Sequence, residues 1–501
     1  MNSIFDKFVI EPILRCINAY SENNAFCINE TFYTYKNFGA FISKIRTSLS
    51  KFDKNSLYVG LVVNDDIETY ASIFSLWLQG KAYIPLHPSQ PIERNKEIIA
   101  QMGIHNILDS SKCSVFIDYN VTNTSKLIFQ QDNLDYDRSI CNDNAIAYIL
   151  FTSGSTGKPK GVMIKRGNIG AFMDSFWDTG IEIKEGDRCL QTFDLTFDVS
   201  VQSFLTPLTR AACVYTVPHD QIKYSYVFGL FEDHQLNFAV MAPSMLRYLR
   251  SYFDEIDLPK MKYCIVTAEA SPLDLVLEWQ ECIPNAKIFD FYGPTEATIY
   301  CTYYEVTNSN SNKSLNGMLS IGKPLKNVEA IIVDAEKKIL SKGQKGELCV
   351  SGDQITPGYW NNQEKNVEVF FEKEFKGVKR RFYHTGDLCY IEEDDNLMLY
   401  GRLDSQVKIQ GYRVELGEIE FHARTYLNGI NSVVIPFTNK SSNTELAIYI
   451  EAEEFDVNSF LNYLRTKLPP YMIPTKTIFE QNIPLNANGK IDKIKLKDLI
   501  T

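Results

Sequence analysis

The sequence predicts an α/β fold. Residues 1–403 form a large N-terminal domain of two helix-flanked, mostly parallel sheets plus a small β-barrel, and residues 404–501 form a small α+β C-terminal domain. Three observations predict it. Short β-rich runs alternate with amphipathic stretches through about residue 300, as parallel sheets covered by helices require. From about 320 to 400 several short strands are separated by glycine-containing turns, the pattern of a small barrel or antiparallel sheet. Beyond Asp404 helix-like and strand-like runs mix in a compact tail.

The elements follow in order. Residues 57–63 (LYVGLVV) are continuously apolar and predict a buried strand, with a helix over 68–79 packed beside it. Residues 148–152 (YILFT), 262–267 (KYCIVT) and 287–291 (KIFDF) are further short strands, each ending where polar or glycine-rich residues begin. In parallel α/β sheets ligands gather at the carboxyl ends of strands, so those ends are where chemistry is expected. VEAIIVD, GELCVSG and NLMLYG supply the strands of the middle region. GEIEFHARTYL and SFLNYLRTKL predict helices in the tail, and NSVVIPF and ELAIYIEA predict strands there. The polar stretch 307–314 reads as an exposed, dispensable loop.

Composition narrows the function classes. Hydrophobic residues make up 45% of the 501 and charged residues 23%, ordinary values for a globular chain long enough for several buried cores. The net charge of −11 argues against nucleic acid or an anionic membrane as partner, because both select basic surfaces. The apolar stretch 71–78 is far too short for a membrane span. Eleven cysteines are scattered without a C-x-x-C pair, and the start MNSIFDKFVIEPILRC is broken by charges, unlike a signal peptide. A reduced, cytoplasmic protein with free thiols is expected, without zinc or disulfides.

The strongest chemical signal is TSGSTGKPKG at 152–161, directly after the strand YILF. Glycines let backbone N–H groups approach a polyphosphate, the hydroxyls of Thr152, Ser153, Ser155 and Thr156 add donors, and Lys158 and Lys160 add charge. It is not a Walker-type loop, since Pro159 follows Lys158 where a Ser or Thr should open a helix. Taken alone, its competing reading is a solvated Ser/Gly turn, because such loops are common. It does not stand alone. QGKAYIPLHPSQPIER (79–94), FDVS (197–200), FYGPTE (291–296), GELCVSG (346–352), YHTGDL (383–388), GRLDSQVKIQGYRVELGEIE (401–420) and PLNANGKID (484–492) accompany it. In order and spacing these motifs resemble those of the adenylate-forming superfamily, which includes acyl-CoA synthetases, luciferases and non-ribosomal peptide synthetase adenylation domains. The chain is similar to the last group over nearly its whole length.

That resemblance implies ATP and Mg²⁺ and assigns roles residue by residue. The nucleotide would be bound by Thr152, Ser153, Gly154, Ser155, Thr156, Gly157 and Lys160 at its phosphates. Tyr292, with Gly293 beside it, would lie against the adenine, Asp290 would accept from the exocyclic amine, and Asp387 would accept both ribose hydroxyls with Arg402 close by. Thr295 would donate to the α-phosphate, and Glu296 would hold Mg²⁺, a hard cation that prefers carboxylate oxygen. Lys490 would be the catalytic lysine, its ammonium stabilising the charge that builds as a carboxylate attacks the α-phosphate. Leu399 stands where many relatives place an aromatic residue near the ribose, with Tyr400 adjacent. Asp404 matches the hinge about which the small domain rotates in relatives, making that domain mobile, and Gly411 would line the channel for a phosphopantetheine arm.

The substrate pocket follows from the same resemblance. Asp198 matches the carboxylate that pairs with the α-ammonium in amino-acid-activating relatives; a buried carboxylate needs such a partner. The competing reading is that Asp198 caps a helix starting near Ser200. Val199, Gln202, Val240, Val266, Ala268, Phe291, Ile299 and Tyr300 would form the lining, closed by Lys490. The lining is apolar and narrowed by two aromatic rings, so it should take a small or medium neutral side chain, with proline or alanine foremost, and reject Lys, Asp or Glu. With no carrier-domain or condensation-domain motif, the chain resembles freestanding adenylation enzymes such as D-alanine:carrier protein ligases. The partner implied is a separate phosphopantetheinylated carrier protein. Two other readings share the scaffold: an acyl- or aryl-CoA synthetase, which would release AMP with coenzyme A and a carboxylate lacking an α-amine, and a non-catalytic nucleotide-binding protein.

Overall fold

The computed structural model describes residues 3–500 apart from 54, 131–133, 155–156, 220, 308–310, 405 and 485–490. The chain divides into two compact units. One comprises Met1–Pro88, Met102–Leu150 and Gly161–Leu403; the other comprises Ser89–Gln101, Phe151–Lys160 and Asp404–Thr501.

The larger unit is built on a nine-stranded sheet. Its order is Lys323–Pro324, Thr302–Val306, Lys287–Tyr292, Tyr263–Thr267, Phe238–Met241, Arg188–Gln191, Cys213–Thr216, Asn24–Ile28 and Thr31–Thr34. From Lys287–Tyr292 across to Asn24–Ile28 all neighbours run parallel, and the antiparallel strands lie at the edges. The central strands are apolar on both faces. Val240, Ile265 and Phe289 pack into one cluster, and Ala239, Cys264 and Val266 into another. That double burial is why these strands read as continuous apolar runs.

A seven-stranded sheet follows the order Gly358–Tyr359, Lys160–Lys165, Ile146–Thr152, Ala82–Leu86, Tyr58–Val62, Asn106–Asp109 and Asn120–Asn123, parallel from Ile146–Thr152 to the last strand. The helix Ile67–Trp77 starts where Asp66 accepts from the Thr69 N–H at 2.8 Å, a side-chain N-cap. Trp77 is fully buried and donates to the Ala147 carbonyl at 3.0 Å, tying helix to sheet. The middle region is a five-stranded antiparallel sheet, Val328–Val333, Gly346–Gly352, Val378–Ile391 and Phe370–Phe375, with Leu397–Arg402 on the far end of the long strand.

In the smaller unit, Gln406–Ile409 and Tyr412–Glu415 pair as a hairpin. Gln410 (φ 50°) and Gly411 (φ 83°) form its two-residue turn, both left-handed as a tight hairpin turn requires. The helices Leu416–Tyr426 and Val457–Lys467 pack Ile419, Ala423, Phe460 and Leu464 against Val434 and Ile448 of a three-stranded sheet. That sheet is Ser432–Thr438, Thr444–Ile450 and Lys476–Phe479.

Candidate active site

In the larger unit the predicted nucleotide residues gather beyond the carboxyl end of the strand Lys287–Tyr292. Asp290 is buried and accepts from the Ser271 hydroxyl at 3.0 Å; burial pushes its carboxyl well above the usual carboxylate range. The Tyr292 hydroxyl donates to Asp387, and Arg402 donates to the other Asp387 oxygen at 2.9 Å and to the Thr385 carbonyl at 3.1 Å. Asp387 and Arg402 face each other across neighbouring strands, so the pair is set by register and is no surface ion pair. Leu399 pairs opposite Cys389 and packs on the main apolar cluster, whereas Tyr400 is exposed beneath Lys345.

Gly293 leads into the short 3₁₀ turn Thr295–Ala297. Glu296 is 1% exposed and accepts from the Tyr359 hydroxyl at 2.5 Å, while its carbonyl accepts from the Thr356 N–H at 2.8 Å. Thr298 (φ 55°) and Ile299 (φ 76°) follow in left-handed backbone. For a β-branched residue such as Ile299 that conformation is strained and must be held by its surroundings. Here Gln354 does the holding: its side-chain amide donates to the Tyr300 carbonyl at 2.7 Å, and its backbone carbonyl accepts from the Thr298 hydroxyl at 2.5 Å.

Asp198 is 5% exposed and is the first residue of the helix Asp198–Leu208; Phe197 occupies the N-cap position with no side-chain cap bond. The helix therefore starts two residues before Ser200, and Asp198 lies inside its first turn, where the helix dipole favours a carboxylate. Its charge reaches Tyr83, Tyr148 and Tyr300, adding to the burial that raises all three phenols. On the same helix, Gln202 is fully buried, donates to Thr206 at 3.1 Å and meets the Tyr300 hydroxyl at 3.5 Å. The Tyr300 and Phe291 rings lie 4.9 Å apart. Val199, Val240, Phe291, Ile299 and Tyr300 share one apolar cluster. Ala268 sits one residue past the strand Tyr263–Thr267, with φ 73°. Val266 is the exception: strand alternation turns it to the opposite cluster, with Ala239 and Met241, while Ile265 faces the others.

In the smaller unit, Phe151–Lys160 carries the predicted phosphate loop; Thr152 ends the strand Ile146–Thr152. Its donors meet the hairpin and helix around 413–418. Ser153 donates to the Arg413 carbonyl at 2.9 Å and accepts from the Glu415 N–H at 3.0 Å. The Gly154 N–H donates to Glu418 at 3.0 Å, Lys160 meets Glu415 at 3.1 Å, and Arg94 meets the other Glu418 oxygen at 2.6 Å. Gly157 (φ 79°) lies against Phe421, where a Cβ would come within 2.4 Å of the ring. Asp404 accepts from the Gln406 N–H at 3.1 Å. Carboxylates thus take donors that the sequence offers to phosphate. Ser155, Thr156 and Lys490 lie outside the described residues.

Residues with no motif of their own complete the arrangement. Tyr359 and Gln354 reach Glu296 and the 298–300 turn from about sixty residues away, beyond any local pattern. Cys349, His384 and Glu347 also come together, although no sequence spacing joins them. All eleven cysteines are free, and no helix among the described residues is long and apolar enough to cross a membrane.

Comparison with known proteins identifies the family and the fold. The family model described as AMP-binding enzyme matches residues 15–360. The chain is 32% identical over 438 residues to a D-alanine--D-alanyl carrier protein ligase from Bacillus licheniformis, covering 84% of this chain and 85% of that protein. It is also 32% identical over 440 residues to a linear gramicidin synthase polypeptide of Brevibacillus parabrevis, covering 87% of this chain but only 8% of that much longer protein. Among solved structures, the Vibrio cholerae adenylation domain AlmE, in complex with glycyl-adenosine-5'-phosphate, has the same fold: TM-score 0.85 at 23% identity, covering 98% of this chain and 97% of that one. From the matched family model, the near full-length relative and the ordered motifs it follows that the chain belongs to the AMP-binding enzymes and is an adenylate-forming ligase.

Proposed function

We propose that the enzyme activates a small or medium neutral amino acid, with proline or alanine foremost, and loads it onto the phosphopantetheine thiol of a separate carrier protein. In the first step a carboxylate oxygen of the amino acid attacks the α-phosphorus of ATP, and the bond to pyrophosphate breaks. In the second the thiol sulfur attacks the carbonyl carbon of the aminoacyl adenylate and AMP leaves. The observation that carries this reading is Asp198, a carboxylate only 5% exposed, in the first turn of the helix whose Val199 packs in one apolar cluster with Phe291 and Tyr300. A carboxylate taken out of water favours a cation beside it, and a substrate α-ammonium is one.

The neighbouring groups support complementary roles. Phe291 and Tyr300 narrow the cavity to exclude large side chains. Asp290, whose carboxyl burial pushes up, offers an acceptor oxygen to the exocyclic amine of adenine. Asp387, a two-oxygen acceptor held by Tyr292 and Arg402, suits the two ribose hydroxyls. Thr295 donates to the α-phosphate, the 152–160 loop and Lys160 hold the polyphosphate, and Lys490 stabilises the charge built up in the first step. Glu296 offers a hard, buried carboxylate oxygen of the kind Mg²⁺ takes alongside phosphates and water, and the ion supplies neutralisation of phosphate charge. Asp404 acts as hinge and Gly411 lines the thiol channel, within a domain organisation of 1–403 and 404–501.

Amino-acid-dependent ATP–pyrophosphate exchange, screened across amino acids of both hands, tests the assignment. Asp198→Ala is expected to raise the amino-acid KM about a hundredfold, the scale of an unpaired buried charge, with the KM for ATP little changed. An unaffected amino-acid KM, or exchange driven only by carboxylates lacking an α-amine, would remove the proposal.

A further inference from the structure

The TGD segment is a bulge with two sides. Along the pair Gly346–Gly352 and Val378–Ile391, Cys349 faces His384 and Glu347 faces Leu388. Thr385, Gly386 and Asp387 therefore stand against Leu348 alone, two residues more than a regular ladder holds, and such a bulge re-aims the side chains it carries. Gly386 stands at φ 75°, left-handed backbone open to glycine at low cost. One side of the bulge presents Asp387 to Tyr292 and Arg402. The other side is held by the Thr385 hydroxyl, which donates to the Leu348 carbonyl at 2.7 Å and accepts from the Asp387 N–H at 3.1 Å, and by one carboxylate. Glu347 accepts from the Gly386 N–H at 2.9 Å through one oxygen and from His384 Nδ1 at 2.8 Å through the other. The His384 ring is fixed between Phe371, at 4.5 Å between ring centres, and Cys349, whose sulfur is 3.4 Å from Nδ1.

From this geometry we propose that Glu347 and His384 are positioning residues for nucleotide binding: their clasp on both sides of Thr385 sets the bulge that aims Asp387 at the ribose. The inference rests on the reading of Asp387 as the acceptor of the ribose hydroxyls. Charge-assisted bonds from a carboxylate to two donors are among the stronger ones, and here they fix backbone on a rigid sheet. Without the clasp, the Gly386 N–H loses its acceptor and the bulge is left to the Thr385 bonds alone, so the aim of Asp387 loosens and it no longer holds both hydroxyls at once. The amino-acid side of the site is untouched.

The test compares ATP with 2′,3′-dideoxy-ATP in pyrophosphate exchange by the full-length protein. Glu347→Ala is expected to raise the KM for ATP about tenfold while leaving that for the dideoxy analogue nearly unchanged, erasing the preference between them. Glu347→Gln should restore it: the amide oxygen takes the Gly386 N–H, and the NH₂ faces His384 in its other tautomer. The amino-acid KM should stay within about twofold in both variants. Asp387→Ala should erase the same preference, and adding Glu347→Ala to it should cost nothing more. If Asp387→Ala loses the preference but Glu347→Ala keeps it, or weakens both nucleotides equally, the clasp is merely structural and the inference fails. If Asp387→Ala keeps it, the ribose assignment itself falls. Should Glu347→Ala not fold, His384→Ala carries the test: a smaller shift in the same direction supports the proposal, and a wild-type preference overturns it.

Discussion

Asp65 lies just past the strand Tyr58–Val62 and accepts from the Tyr70 hydroxyl. Burial, aided by Asp194 and opposed by His219, Tyr70 and Lys223, raises its carboxyl to about 7. Its folded value is above its unfolded one, so it contributes stability below pH 4 that is lost as pH rises through about 7. A shift of this size amounts to at most about 4 kcal/mol. His87 works in the other direction: burial lowers it to about 4, so its stability is present above 6.5 and lost as pH falls. Asp65→Asn should therefore melt higher than the wild type by a margin that widens from pH 4 to about 7 and then levels. Thermal melts across that range check it, and a constant margin would refute it. Motifs framed residues that the structure buries or bonds, such as Asp198, Glu296 and the Tyr292–Asp387 pair, although no pattern tells that burial pushes the Asp290 carboxyl up. Tyr359 and Gln354 were not legible, because their partners are set by tertiary packing.

At the scale of elements, apolar runs betrayed the parallel strands, since strands buried on both faces have no polar alternation to confuse them with loops. The strand Gly346–Gly352 matches its predicted span residue for residue. Facing within a strand was harder: a shift of one residue reverses the side, which is why Val266 packs away from the others. The bulge at 385–387 was invisible for a related reason, since a bulge belongs to a pair of strands and no single run encodes it. The helix Leu416–Tyr426 carries a further prediction. Glu418 is fully buried and is the partner of Arg94, itself 6% exposed. Glu418→Ala leaves that guanidinium and the Gly154 N–H without their acceptor, and should destabilise the smaller unit by about 3 kcal/mol. Urea unfolding measures it; an unchanged midpoint would mean that water satisfies Arg94.

Over the whole molecule, fold class and the family of motifs were legible because each motif is local, whereas the recruitment of 89–101 and 151–160 into the compact unit of the C-terminal residues was not. Distant segments meet there through charges and N–H groups that no single stretch of sequence displays together. The scattered cysteines resolve into one exposed thiol, Cys113, and ten buried ones. Burial raises those such as Cys27 and Cys264 to about 12, which keeps them un-ionised and inert. A thiol reagent should label about one cysteine per native chain rapidly and all eleven after denaturation; fast labelling of several would contradict the packing. The Gly154 amide carries one proton, and in this arrangement Glu418 holds it. If the 152–160 loop grips a polyphosphate, as proposed, departing pyrophosphate and Glu418 are rivals for one seat. Leftover pyrophosphate would then compete with Glu418 for that one N–H.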